Sequence, residues 1–260
     1  ARALCLLDPK TSGDVKFYNS EANEMQNLDD LSEEQVKQFR RNTQMIFQDP
    51  YESLNPRWTI KDIILEPLNI HNIGSLENRT EAVVEILKTV GLTPPENYLP
   101  RYPHELSGGQ RQRVSIARSL IMNPKFVICD EPTSMLDVSI RISIMDLMLD
   151  LAKDLQVSYL YITHDLAVAR YMCNRIAVMF NGKIVEIAKT EDLLSNPIHP
   201  YTKRLISSIP VPDPKYTRVK YDLDFTELDE IIAKNTDNLP MVDVGDEHYI
   251  ATHDVKDLLI

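Results

Sequence analysis

Leu106-Ser107-Gly108-Gly109-Gln110, running into Arg111 to Ile121 and then Phe126-Val127-Ile128-Cys129-Asp130-Glu131, is the stretch on which the fold turns. Ser107 is a natural helix N-cap. Gly108 and Gly109 let a backbone approach an anion closely, and the helix start behind them offers free N–H groups and partial positive charge. That combination suits a phosphate. A capped helix after a flexible turn would explain a lone Ser-Gly-Gly equally well, so the weight lies in the strand beyond the helix. Lys125 to Cys129 is an apolar, buried-type strand that delivers Asp130 and Glu131 to its carboxyl end, where open α/β sheets place ligands. One carboxylate suits Mg²⁺, held through water, and the next can polarise an attacking water. A strand ending in solvated acids is common, but its place after the glycine motif favours a site.

Downstream, the pattern alternates. Val138 to Leu155 reads as a long amphipathic helix, Val157 to Thr163 as a strand rich in β-branched and aromatic residues, and Leu166 to Cys173 as a helix. His164 follows the strand and is placed to hydrogen-bond a terminal phosphate or attacking water, although a histidine standing alone there is more often structural. Ile176 to Phe180 and Lys183 to Ile187 form a hairpin about Asn181-Gly182. Helix and strand in alternation predict a parallel α/β sheet with an added hairpin. After Pro197 prolines recur, and an acidic, loosely packed tail is expected.

Upstream, residues 1–8 read as the end of a helix, stopped by Asp8-Pro9 and Thr11-Ser12-Gly13. Asp14 to Tyr18 and Asn42 to Phe47 read as strands, with a short polar helix over 31–41. Ser53 to Pro103 has no strong strand pattern. Ile60 to Ile70 and Arg79 to Val90 carry apolar residues at helical spacing, which predicts a mostly helical insertion bounded by prolines. Gln48 sits between strand and insertion. It is an ordinary polar loop residue on its own, yet it can bring a side-chain carbonyl to Mg²⁺ and link a site to a mobile subdomain.

Composition narrows the function classes. Hydrophobic residues make up 43% and charged residues 26% of the 260, which is ordinary for a globular protein. The longest apolar runs are far too short to span a bilayer, and no signal segment opens the chain. Cys5, Cys129 and Cys173 form no CxxC pair, so neither a disulfide framework nor zinc is expected, and a core role is. Net charge is −11, and residues 221–260 hold eleven acids against Lys234 and Lys256, so the rest is near balance. This argues against nucleic acid as a partner.

In order along the chain, Gln48, Leu106-Ser107-Gly108-Gly109-Gln110, Asp130-Glu131, Ser134-Met135-Leu136-Asp137 and His164 resemble the Q-loop, signature, Walker B, D-loop and H-loop of ABC-transporter ATPases. The resemblance covers roughly residues 1–195. It implies a P-loop NTPase-like (RecA-like) parallel-sheet core with a helical insertion: 1–52 as partial core and antiparallel β region, 53–122 as helical subdomain, 123–195 as core, and 196–260 as a C-terminal extension. It also implies ATP and Mg²⁺, with Gln48 and Asp130 serving the metal, Glu131 as general base, His164 on the γ-phosphate, Ser107 to Gln110 on nucleotide, and Asp137 across a dimer seam. Met135 stands where many relatives have alanine. Phe47 to Pro56, Tyr102-Pro103-His104-Glu105, Asp130 to Ser134 and Asn196-Pro197-Ile198-His199-Pro200-Tyr201-Thr202 resemble oligopeptide, dipeptide and nickel importers. The implied partners are a second ATPase subunit, two membrane permeases and, indirectly, a solute-binding protein, at the cytoplasmic face of the membrane. No cysteine follows Cys173, so no iron–sulfur cluster is expected. Nickel and sugar cargo stay open beside peptides.

The family's phosphate loop, Gly-x-x-x-x-Gly-Lys-Ser/Thr, is absent from these residues. The single Gly-Lys pair, Gly182-Lys183, is followed by Ile184 in a hairpin. Every later catalytic position is intact, and the chain opens in mid-helix. The expectation is therefore a fragment whose loop precedes Ala1 and which is inactive alone. A degenerate, non-hydrolytic partner subunit is the alternative.

Overall fold

The computed structural model describes residues 1–19, 23–208 and 239–252. These fall into two compact units, Ala1–Ile162 and Thr163–Ile260.

The first unit is built on strands β3 (Thr43–Ile46), β4 (Phe126–Asp130) and β5 (Ser158–Ile162), all parallel with β4 in the middle. A central parallel strand is covered on both faces, which explains its unbroken apolar run. Val127, Ile128 and Cys129 are fully buried. Cys5, Met45 and Ile128 form a cluster against which Leu4, Phe126, Leu160 and Ile162 pack.

Cys5 reaches this cluster from the opening segment, read from sequence as the end of a helix. Residues 2–6 make one turn. Leu7 N–H donates to Arg2 O and Leu6 N–H to Ala3 O, with Leu6 at φ 54°, the hydrogen-bond pattern that ends a helix.

Strands β1 (Lys16–Asn19) and β2 (Glu24–Asn27) pair antiparallel. They dock on helix α1 (Glu33–Asn42) through an edge-to-face contact of Phe17 with Phe39, ring centres 5.1 Å apart. Ser32 and Gln35 close a capping box at the start of α1. Between β3 and β4 lie α2 (Pro50–Ser53), α3 (Ile60–Ile70), α4 (Leu76–Thr89) and α5 (Gly108–Leu120). Thr59 and Ser75 cap α3 and α4 with their hydroxyls. Ile60, Ile64, Val83, Leu87, Val114 and Ala117 are fully buried among these helices. Helix α6 (Val138–Asp154) crosses from β4 to β5.

The second unit holds α7 (Leu166–Met172), β6 (Arg175–Phe180), β7 (Lys183–Lys189), α8 (Thr190–Ser195), α9 (Pro200–Ser207), β8 (Met241–Asp243) and β9 (Tyr249–Ala251). Asn181 and Gly182 both have positive φ, 46° and 78°, as the tight β6–β7 turn requires. The sheet order is β6-β7-β9-β8. The expected loose tail is thus corrected where it can be seen: residues 241–243 and 249–251 are paired strands, and Ile250 is fully buried opposite Glu186. The rest of the acidic tail lies outside the described residues. No helix among the described residues is long and apolar enough to cross a membrane.

Candidate functional site

Strand β4 ends where the chemistry is expected. Asp130 is still in register with Ile162, and Glu131 N–H donates to Ile162 O at 3.0 Å, so the sheet reaches one residue past the strand. Glu131 then takes φ 44°, a left-handed conformation that costs a non-glycine residue energy. The loop offsets it locally: the Ser134 N–H and hydroxyl both donate to Glu131 O, at 3.2 and 3.0 Å, and the Thr133 hydroxyl meets that of Tyr161 at 3.2 Å. Backbone bonding thus fixes where the carboxylate stands.

Gln48 meets it there. It leaves β3 exposed, and its Nε2 donates to Glu131 Oε2 at 3.2 Å. Asp49 caps the next turn, with Oδ1 accepting from Tyr51 N–H at 2.6 Å, and Pro50 occupies the first helical position of α2.

Ser107 and Gln110 open α5 with a reciprocal capping box. Gln110 N–H donates to Ser107 Oγ at 3.3 Å, and Ser107 N–H to Gln110 Oε1 at 3.0 Å. The two glycines differ. A methyl group on Gly109 would lie 2.7 Å from Ile140 Cγ2 on α6, whereas one on Gly108 would sit at an ordinary 3.6 Å from Leu136. Gly109 therefore has a packing reason to be glycine beside any role toward an anion.

Three arginines that sequence reasoning passed over anchor α5. Arg111 Nε and Nη2 donate to Leu106 O at 3.0 and 2.6 Å, and its guanidinium lies 3.8 Å from the centre of the Tyr51 ring. Arg113 binds Val90 O and, at 2.9 Å, the Ser143 hydroxyl. Arg118 Nη1 donates to Ser53 O at 2.6 Å, and burial lowers its affinity for the proton, opposed by nearby Glu66. The signal was present as three arginines within eight residues of one helix, but a helical arginine reads as solvated until its partner is known.

Asp137 is the exposed N-cap residue of α6 and makes no side-chain cap bond. His164 is exposed and belongs to the second unit, just before Asp165, which caps α7 by accepting from Ala167 N–H at 2.8 Å. In the first unit the structure thus joins Gln48 to Glu131 and Ser107 to Gln110.

Among the described residues no group of three or more His, Cys, Asp or Glu side chains could hold a metal. Asp130 and Gln48 instead offer hard oxygens at the end of β4 and β3. That sparse set suits Mg²⁺, which commonly takes one or two protein ligands and completes its shell with water and phosphate.

Unforeseen too is a buried cluster in the second unit. Glu186, fully buried, accepts from Ile198 N–H at 2.8 Å, His199 N–H at 3.1 Å and His248 Nε2 at 2.6 Å. His199 Nδ1 accepts from Tyr201 N–H at 3.1 Å, and burial lowers its pKa to about 4 against the pull of Glu186.

Comparison with known proteins identifies relatives of this chain. The model of the ABC transporter family matches residues 1–134, and that of the oligopeptide/dipeptide transporter C-terminal region matches residues 185–228. The oligopeptide transport ATP-binding protein OppF of Bacillus subtilis is 43% identical over 254 residues, covering 96% of this chain and 79% of the relative. AppF of the same organism, also an oligopeptide transport ATP-binding protein, is 46% identical over 211 residues, covering 81% of this chain and 62% of its own length. The dimeric structure of MJ0796, a bacterial ABC transporter cassette, superposes with a TM-score of 0.61 at 31% identity, covering 73% of this chain and 78% of that one.

Proposed function

This chain belongs to the ABC transporter family, among the ATP-binding subunits of oligopeptide importers, and on that premise we propose that it couples ATP hydrolysis to peptide uptake. The observation that carries the reading is the Gln48–Glu131 hydrogen bond. It holds the amide of a loop glutamine on the carboxylate that would take the proton of an attacking water.

The remaining roles follow the motifs. Glu131 is the general base and Gln48 orients it. Asp130 and the Gln48 carbonyl would hold Mg²⁺, which when bound neutralises charge on the phosphates. Ser107, Gly108, Gly109 and Gln110 would present N–H groups and a hydroxyl to the nucleotide of a second ATPase subunit. Asp137 would lie at the seam between the two subunits, and His164 would contact the γ-phosphate. Two permeases and a solute-binding protein complete the importer, with this subunit peripheral on the cytoplasmic face.

The test is uptake. In cells deleted for the gene, restoring it should recover accumulation of labelled oligopeptides, and the Glu131→Gln form should not. Recovery of nickel or sugar uptake without peptide uptake would overturn the cargo. Full recovery with Glu131→Gln would overturn its role as general base.

A further inference from the structure

Gln48 and the signature turn belong to distant parts of the chain, yet a short backbone segment and a set of contacts join them. Tyr51 stands three residues after Gln48, and its backbone N–H donates to Asp49, which caps α2. That ring is 58% exposed, so it is not held in place by a core. It lies on the guanidinium of Arg111, which is only 9% exposed. The same guanidinium, through two N–H groups, grips the carbonyl of Leu106, the residue before Ser107. Arg118 fastens the far end of α2 to α5 at Ser53 O. The path therefore runs from Glu131 to Gln48, along the backbone through Asp49 to Tyr51, and on to Arg111, Leu106 and Ser107.

We propose that Tyr51 and Arg111 are positioning residues that make the glutamine loop and the signature turn move as one body. The placement of Gln48 on Glu131 and the presentation of Ser107 to nucleotide are then set together. This rests on the functional reading above. A stacked guanidinium suits such a role, because it tolerates sliding over the ring while resisting separation. Coupling of this kind is reciprocal: a change on the signature side must be felt at the glutamine, and the reverse.

Two measurements test it. The first needs no activity. In NMR spectra of this chain, Arg111→Lys should shift the Gln48 side-chain amide. Tyr51→Leu should shift the Ser107 and Gln110 amides, and Tyr51→Phe, which keeps the ring, should leave them close to the parent. If Arg111→Lys is silent at Gln48 and Tyr51→Leu perturbs only its sequence neighbours, the proposal is overturned. The second uses the subunit assembled with its partners in the importer. Tyr51→Leu should lower kcat about five- to tenfold with KM for ATP little changed, and Tyr51→Phe should restore it. The Tyr51→Leu, Arg111→Lys double variant should be no worse than the poorer single variant. Independent, multiplying losses would contradict the proposal. An inactive parent would sink the functional reading instead, and the NMR result would still decide the coupling.

Discussion

Gln48 donates to Glu131 across 3.2 Å although 83 residues separate them. β3 and β4 are hydrogen-bonded neighbours, so consecutive strand ends bring the two side chains together, and the left-handed turn at Glu131 aims the carboxylate. Gln48→Ala should leave folding intact, since the side chain is exposed, yet lower ATP turnover by about tenfold or more in the assembled subunit, as expected for a general base that has lost its orientation. Steady-state hydrolysis beside a thermal melt separates the two effects. An unchanged rate would mean the contact is incidental.

Gly109→Ala and Gly108→Ala should part company. In a helix, alanine gains about 1 kcal/mol over glycine. At Gly109 the new methyl would stand 2.7 Å from Ile140 Cγ2, a branch with little rotamer freedom, and overpacking of this kind costs about 1–3 kcal/mol. Denaturant melts should therefore show Gly109→Ala destabilised by up to about 2 kcal/mol and Gly108→Ala neutral or slightly stabilised. Ile140→Ala should rescue the former. Equal behaviour of the two would refute the close approach.

Much of this architecture was legible from periodicity and order. The apolar run Phe126 to Cys129 and the turn at Asn181-Gly182 state their structure locally, because a buried strand and a tight hairpin need those residue types. The motif order likewise pointed to Gln48, Asp130 and Glu131 as one neighbourhood. The features that stayed hidden depend on partners distant in sequence. Arg111 and Tyr51 are unremarkable until the fold stacks them. Met241 to Ala251 sits in an acidic stretch whose composition suggests no strand, and it is ordered through pairing with β7 and through His248.

Glu186 should behave as a buried fastener. Its carboxylate accepts from the N–H groups of Ile198 and His199 and meets His248 Nε2. Glu186→Ala strands all three donors, and removing one partner of a buried charged network costs about 3–5 kcal/mol. Amides of residues 249–251 should lose most of their hydrogen-exchange protection, while Glu186→Gln, which keeps one acceptor oxygen, should lose less. Unaltered protection in Glu186→Ala would show that the strands hold without it.

His199 should give this region an acid limb. Burial lowers its pKa from 6.5 to about 4 in the folded chain. The unfolded state therefore binds the proton more readily, and stability is lost as pH falls from about 6.5 toward 4, then levels below the folded value. The loss is on the order of 2–3 kcal/mol. His199→Asn keeps a side chain able to cap α9 and removes the titration. Its stability between pH 7 and 4 should fall less steeply than that of the parent by about that amount. Parallel curves would contradict the assignment.

The central claim is that Glu131 activates water on a nucleotide held at the end of β4. It is tested most directly by ATP hydrolysis in the subunit assembled with its partners, comparing the parent with Glu131→Gln, which keeps size and loses the base. The account predicts that Glu131→Gln still binds ATP but hydrolyses it at least about a hundredfold more slowly. Hydrolysis at the parental rate by Glu131→Gln would contradict it.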